Sequence, residues 1–216
     1  PLYSSAASDV YKRQVFDVPY KIIRGGEKFK DHDPHPLQKL TTAGILAVSS
    51  NTGTIKIAET MSHQTLYSYL HKFGIGTKTG AGLPGENYGK LLEVKDWSAT
   101  TAPTFAFGHG YSLNSMQATS IFATIANDGV RVTPTVIAGT SDSSGNFTPF
   151  KSEKGVKVVS AATASKMRHM MESVVSANGT APSASIPGYR VAGKTGTAVR
   201  YDCLLYTSPS PRDRTR

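Results

Sequence analysis

Residues 189–197 read Tyr-Arg-Val-Ala-Gly-Lys-Thr-Gly-Thr, an alternating run that ends in a lysine, a glycine and two threonines. The alternation is typical of a strand at the edge of a sheet. A lysine ammonium beside hydroxyl groups is a good receptor for a carboxylate, so Lys194, Thr195 and Thr197 are candidate substrate-binding residues. Gly196 would let a substrate backbone approach closely and pair with the strand, and the Thr197 N–H would face a developing oxyanion.

The tripeptide Lys-Thr-Gly occurs a second time at residues 78–80, inside a glycine-rich loop that spans residues 74–89. The spacing does not fit a phosphate-binding loop, because further glycines and a proline follow instead of a helix. Only the copy at residues 194–196 follows a strand-like run. The sequence therefore favours Lys194 as the functional lysine.

A second short motif, Ser49-Ser50-Asn51, lies between two predicted helices. A hydroxyl and a carboxamide on a tight turn can point into one cleft. There the Ser49 hydroxyl could relay a proton and the Asn51 amide could hold a substrate carbonyl. The same residue types also cap helices, so the motif alone fits a purely structural role. Combined with the lysine motif it predicts that Asn51 and Lys194 face one site.

Periodic apolar residues and capping residues predict the elements around these motifs. Residues 15–36 are predicted to be a loop, because Gly25-Gly26 and a run rich in Asp, His and Pro interrupt them. Residues 140–146 are predicted to be a polar turn. Strands are predicted at residues 130–138, 156–159, 189–192 and 197–201. Helices are predicted at residues 37–48, 54–61, 62–73 and 115–127, and from residue 160 or 163 to 176.

The composition narrows the class of protein. The 216 residues contain one cysteine, which excludes a disulfide framework and a multi-cysteine metal site. The formal net charge is +9, but the basic residues are scattered and form no stripe with aromatic residues, so nucleic-acid binding is not predicted. The Asp and His residues at 31–35 do not complete a ligand set, and we predict no metal and no organic cofactor. No apolar run reaches the roughly 18 residues that span a bilayer.

Both ends of the chain read as translated sequencing adapter. Residues 9–14 are Asp-Val-Tyr-Lys-Arg-Gln, and residues 203–208 are Cys-Leu-Leu-Tyr-Thr-Ser. One back-translation of the first stretch is the reverse complement of DNA that encodes the second in a shifted frame. We therefore predict a non-native tail at residues 1–14, a partial domain at residues 15–202 and a second non-native tail at residues 203–216.

In their order and spacing, the two motifs resemble those of the penicillin-binding proteins. The chain is similar to the transpeptidase domain of a class B penicillin-binding protein. The resemblance implies an α+β fold, with an antiparallel sheet flanked by helices and an all-helical lobe, here incomplete. Further stretches in the family's order support it: Phe73-Gly74, Leu83-Pro84-Gly85-Glu86, Phe107-Gly108-His109-Gly110 and residues 123–129.

The resemblance also implies a reaction. A serine attacks the D-Ala–D-Ala bond of a peptidoglycan stem peptide, and an amine of a neighbouring stem peptide resolves the acyl-enzyme; β-lactams trap the serine. Carried onto this sequence, Ser49 is the proton relay, Asn51 orients the substrate amide and Lys194 supplies positive charge near Ser49. Thr195 and Thr197 bind the substrate carboxylate.

The resemblance further implies partners and a location. Stem peptides, β-lactams and membrane proteins of the division or elongation machinery are the expected partners. The parent protein is expected to be anchored in the cytoplasmic membrane, with this domain on its outer side.

The sequence departs from the family in one respect. No serine stands three residues before any lysine, so the Ser-x-x-Lys motif of the nucleophile is absent from the 216 residues. We expect the nucleophile to precede Val15 in a longer parent, the chain itself to be inactive, and its sheet to expose an unpaired edge. Two alternatives stay open. One is a β-lactamase, D,D-carboxypeptidase or β-lactam sensor on the same scaffold, and the other is a non-catalytic scaffolding homologue.

Overall fold

The computed structural model describes residues 14–151 and 154–196, which form the α+β fold that the sequence predicts. Within them the strands pair as four two-stranded antiparallel sheets. The strands are β1 (Val15–Val18), β2 (Lys21–Arg24), β3 (Glu27–Lys30), β4 (Gln38–Thr41), β5 (Val130–Arg131), β6 (Gly139–Ser141), β7 (Phe147–Pro149) and β8 (Val156–Lys157). The helices are α1 (Thr42–Ala47), α2 (Asn51–Ala58), α3 (His63–Lys72), α4 (Thr101–Ala106), α5 (Ser115–Ala126) and α6 (Ala161–Val175).

The first strands form where the sequence predicted a loop at residues 15–36. β1 pairs with β4, and β2 pairs with β3. The loop prediction is wrong because Gly25 and Gly26 close the two-residue turn of a β2–β3 hairpin, with φ angles of 55° and 83°. Val18 and Ile22 of these strands are buried and contribute to the core.

The segment before Ser49 is a strand followed by a short helix, where a single helix was predicted at residues 37–48. Its first part pairs with β1 as β4. The Thr41 hydroxyl then accepts a 3.2 Å hydrogen bond from the N–H of Gly44 and caps α1. The helix therefore begins only at Thr42.

Local capping signals place the three longer helices where the sequence predicts them. Ser62 accepts a hydrogen bond from the N–H of Thr65 at the start of α3, and Ser160 does the same for Thr163 at the start of α6. A reciprocal capping box precedes α5. No helix in the described part of the chain is long and apolar enough to cross a bilayer.

The strand predicted at residues 130–138 is much shorter in the structure. Only β5 forms, paired with β8, and a second hairpin of β6 and β7 follows. Pro134 has no N–H to donate to a ladder, which ends the strand early. The predicted polar turn at residues 140–146 is confirmed only around Asp142, whose carboxylate accepts hydrogen bonds inside the hairpin loop.

α1 packs against α6, a helix far from it in the chain. Ile45 of α1 is buried, as are Ala164, Met171 and Val174 of α6. Burial of such apolar surface stabilises the fold by about 25 cal/mol per Å². Because Ser49 follows α1 and residues 176–196 follow α6, this helix pair positions both sequence motifs.

Residues 189–192, predicted to be a strand, pair with no strand among the described residues. The N–H of Gly193 instead donates a 3.3 Å hydrogen bond to the carbonyl of Met171 on α6. The segment therefore lies along the helix. The strand predicted at residues 197–201 falls outside the described residues.

Candidate active site

Ser49 and Lys194 meet in the structure although 145 residues separate them in the chain. Lys194 Nζ donates a 2.6 Å hydrogen bond to Ser49 Oγ. It also lies 2.9 Å from the carbonyl oxygen of Thr195. The Ser-Ser-Asn turn and the Lys-Thr-Gly segment thus border one site. The functional hypothesis from the sequence depends on this proximity.

Partial burial lowers the pKa of Lys194 below that of an exposed lysine. Removal from water disfavours the ammonium form, and this desolvation is the cause of the shift. A lysine whose pKa is nearer to the working pH exchanges a proton with a neighbouring hydroxyl more easily. The pair is therefore suited to proton transfer.

Ser49 adopts a left-handed backbone conformation, with a φ of 57°. It occupies the position after Val48, the C-cap of α1, where a left-handed residue commonly ends a helix. The N–H groups of Ser49 and Ser50 bond to the carbonyls of Leu46 and Ile45. The conformation costs a non-glycine residue about 1–2 kcal/mol, so surrounding contacts must hold it.

A buried carboxylate, that of Asp31, holds the turn. Its Oδ2 accepts a 2.6 Å hydrogen bond from Ser50 Oγ, and its Oδ1 accepts a 2.9 Å bond from the N–H of Thr52. The three residues are 6%, 3% and 0% exposed. Ser50 Oγ also accepts a 2.9 Å bond from the N–H of Gly53 and so caps α2. One hydroxyl therefore connects the carboxylate to the helix N-terminus.

His35 closes this network. Its Nε2 lies 2.9 Å from Asp31 Oδ2, and its Nδ1 lies 2.7 Å from the carbonyl oxygen of Pro36. The carbonyl of Pro36 and, after it, the carboxylate of Asp31 favour the protonated ring and raise the pKa of His35. Within the described ranges no three potential metal ligands cluster. Sequence analysis missed this structural role of Asp31, because nothing local links it to Ser50.

Asn51 is the first residue of α2 and lies beside the turn. Its Nδ2 donates a 3.0 Å hydrogen bond to the carbonyl of Lys30 at the end of β3. This bond fixes the carboxamide against the β2–β3 hairpin. Within the turn, Ser49 is the residue whose side chain contacts Lys194.

The residues that follow Lys194 are described only as far as Gly196. Thr195 Oγ1 lies 2.9 Å from Thr180 Oγ1. A Cβ atom built on Gly196 meets no described atom within 4 Å. The substrate-binding roles of Thr195, Gly196 and Thr197 stay predictions, and Thr197 lies outside the described residues.

The second Lys-Thr-Gly copy is part of a loop that the chain holds by internal contacts. Glu86 accepts a 2.9 Å hydrogen bond from the N–H of Thr79. Gln117, which is 1% exposed, also binds this loop. The structure thus brings Lys194, and not Lys78, to Ser49. Sequence analysis missed Gln117, whose Nε2 contacts three carbonyl oxygens of the loop, those of Gly74, Thr77 and Tyr88.

Comparison with known proteins assigns a family to this fold and site. The family model for the penicillin binding protein transpeptidase domain matches residues 5–206. Penicillin-binding protein PbpB of Mycobacterium tuberculosis (strain ATCC 25618 / H37Rv) is 39% identical over 191 residues, 86% of this chain. The peptidoglycan D,D-transpeptidase FtsI of Escherichia coli (strain K12) is 33% identical over 187 residues, 84% of this chain.

Solved structures show the same similarity. Penicillin binding protein 3 of Mycobacterium tuberculosis, complexed with ampicillin, is similar with a TM-score of 0.85 at 38% identity, over 91% of this chain and 46% of that one. The transpeptidase domain of Burkholderia pseudomallei penicillin-binding protein 3 gives a TM-score of 0.78 at 30% identity, over 94% of this chain and 58% of that one.

The fold and the site define an α+β scaffold that brings a serine of a Ser-x-Asn turn to the lysine of a Lys-Thr-Gly segment. The chain belongs to the penicillin-binding protein transpeptidase domain family, as a class B member of the type of PbpB and FtsI. It spans 28% of the length of each of these two relatives.

Proposed function

We propose that this chain is part of a peptidoglycan D,D-transpeptidase that cross-links stem peptides through a serine acyl-enzyme. The observation that carries the proposal is the 2.6 Å contact of Lys194 with Ser49 in a member of this family. FtsI is named as a peptidoglycan D,D-transpeptidase and PenA as a probable one, and structures of a relative have been solved with ampicillin and with aztreonam. D-Ala–D-Ala stem peptides are the proposed substrates and β-lactams the proposed inhibitors.

Ser49 and Lys194 form the proton-transfer part of the proposed site. The Lys194 ammonium donates to Ser49 Oγ, which leaves the hydroxyl hydrogen of Ser49 free to be donated to the leaving amine. Lys194 then returns a proton to Ser49 Oγ. The lowered pKa of Lys194 reduces the free-energy cost of this step.

The other proposed roles concern binding of the stem peptide. Asn51, fixed by the carbonyl of Lys30, presents its carboxamide to the substrate amide in one orientation. The hydroxyls of Thr195 and Thr197, next to the charge of Lys194, bind the terminal carboxylate. Gly196 leaves room for the substrate backbone, and the Thr197 N–H stabilises the oxyanion.

The attacking serine is not among these 216 residues, since no lysine follows a serine by three positions. We propose that it belongs to a part of the parent protein corresponding to the unmatched length of the relatives. The chain by itself then forms no acyl-enzyme. We further propose that the parent is anchored in the cytoplasmic membrane with this domain outside, where peptidoglycan lies.

Labelling with a fluorescent penicillin tests the proposal. The 216-residue chain is compared with the parent protein encoded by the uncut reading frame. We expect a covalent band in the parent and none in the chain. In the parent, Ser49→Ala and Lys194→Ala should slow labelling by about 10²–10⁴-fold, whereas Asp33→Ala, at a side chain that is 90% exposed, should not.

Each contrary result has a distinct meaning. A band in the 216-residue chain that prior heat denaturation abolishes would contradict its inactivity. Repeated turnover of nitrocefin by the parent would favour a β-lactamase. A parent that is not labelled at all would contradict the transpeptidase assignment.

A further inference from the structure

The segment that carries Lys194, residues 185–196, is held to the protein with little help from burial. None of residues 185–196 is buried. Among the described residues, the backbone of this segment contacts α6 through a 3.3 Å hydrogen bond, which the N–H of Gly193 donates to the carbonyl of Met171. Apolar packing of residues 185–196 therefore contributes little to fixing Lys194, and polar contacts among the described residues carry most of this role.

An ion pair supplies the strongest of these contacts. The Arg190 guanidinium binds both carboxylate oxygens of Glu172 on α6, with Nη2 at 2.7 Å from Oε1 and 3.0 Å from Oε2, and Nε at 3.3 Å from Oε2. Nη2 also lies 2.9 Å from Nδ1 of His169. Two-point binding fixes the direction of the guanidinium as well as its distance. We call these two residues the Glu172–Arg190 clamp.

The clamp holds Arg190 to α6, the same helix that packs against α1 before the Ser-Ser-Asn turn. Glu172 follows Met171, so two adjacent residues of α6 hold Arg190 and Gly193, the residues four and one before Lys194. α6 also packs against α1, which ends just before Ser49. The distance from Lys194 to Ser49 is therefore set through α6.

We propose that Glu172 and Arg190 are positioning residues that seat Lys194 against Ser49. The clamp is exposed, at 31% and 69% of the two side chains, and such pairs add little to global stability. Its effect is local, because release of the unburied segment breaks few other contacts. The contacts themselves support this positioning of Lys194. The importance of the position for acyl transfer rests on the proposed function.

Titration of [¹³Cε]lysine-labelled 216-residue chain by NMR, with Lys194 assigned from Lys194→Met, tests the seating. In Glu172→Gln and in Arg190→Gln, the pKa of Lys194 should rise toward that of an exposed lysine, because the released side chain regains water. Amide hydrogen exchange at Gly193 should accelerate by about two- to five-fold, the loss expected for an exposed pair. The double variant should show no further change.

The charge-swapped double variant, Glu172→Arg with Arg190→Glu, should restore the lowered pKa of Lys194 and the slower amide exchange at Gly193. Asp17→Asn is the matched control, since it breaks an exposed 2.7 Å ion pair with Lys39 that joins β1 to β4. Unchanged Lys194 titration and Gly193 exchange in both single variants would overturn the proposal, as would an ordinary Lys194 pKa in the unmodified chain. Neither readout uses substrate, so failed penicillin labelling of the parent would leave this result standing.

Discussion

The Ser49 side of the site is built from buried polar groups, whereas residues 185–196, the described part of the Lys194 side, contain none. On the first side, the carboxylate of Asp31 holds Ser50 and Thr52. On the second side, residues 185–196 are all at least partly exposed and depend on the Glu172–Arg190 clamp and single hydrogen bonds. A buried polar group that loses its partner costs about 1–3 kcal/mol, while an exposed ion pair contributes about 0–1 kcal/mol.

The comparison shows that the two sides meet different physical demands. Ser49 has a strained left-handed backbone, and such a conformation persists only where its surroundings determine it fully. Release of the segment with Lys194 breaks few contacts among the described residues, so this segment should shift at low free-energy cost. We infer a fixed serine side and an adaptable lysine side.

Asp31→Ala tests the fixed side with the largest expected effect. The Ser50 hydroxyl and the Thr52 N–H stay buried without their acceptor, so the free energy of unfolding should fall by about 2–4 kcal/mol. Urea denaturation followed by circular dichroism measures the fall. The control Asp33→Ala removes a 90% exposed carboxylate and should change stability by less than about 0.5 kcal/mol. Equal losses in both variants would remove the distinction between the two sides.

Gly53→Ala tests how tightly the turn is packed. The added methyl would lie 2.8 and 2.9 Å from side-chain carbons of Ile45 and 3.0 Å from Ser50 Oγ. We expect a loss of about 1–3 kcal/mol in the same urea experiment. Gly44→Ala, with no atom nearer than 3.5 Å, should instead be neutral or stabilising by up to about 1 kcal/mol. Similar stabilities for the two variants would mean that the turn can widen.

The stability that the fixed side gives to the fold should depend on pH through His35. Because its pKa is raised in the folded protein, the protonated ring stabilises the fold fully below the ordinary histidine pKa of about 6.5. This stabilisation is lost as the pH rises through the higher folded-state pKa. Urea midpoints across that range should fall in the unmodified chain and in the exposed control His32→Gln, but less in His35→Gln. A fall of equal size in His35→Gln would assign the dependence to another group.

Thr180→Val tests the adaptable side and should have the smallest effect. It removes the hydroxyl that contacts Thr195, and both residues are exposed, so stability should change by less than about 0.5 kcal/mol. The matched variant on the fixed side is Thr52→Val, which removes a buried hydroxyl bound to the carbonyl of Pro19 at 2.7 Å. We expect it to cost about 1–2 kcal/mol by chemical denaturation. A larger loss of stability in Thr180→Val than in Thr52→Val would contradict the contrast between a fixed and an adaptable side.

The sequence predicted helix starts correctly where the contacts that form them are local. The predicted cap at Ser62 is confirmed, and of the two alternatives Ser160 and Thr163 it is Ser160 that caps α6, because a capping hydrogen bond joins residues only three apart. The prediction failed for residues 15–36, where β1 pairs with β4, whose residues lie 20 to 26 positions later in the chain. The alternation that marks a strand is weak in pieces of four residues.

The family and the candidate residues of the site can be read from the amino-acid sequence, because residue type and motif order are visible in it directly. The tertiary structure alone decided that Lys194 reaches Ser49 while Lys78 stays in its loop. It alone placed Asp31 under the turn, 19 residues from its partner Ser50. Such contacts depend on how α1, α6 and the hairpin pack in space, and no short stretch of sequence specifies that packing.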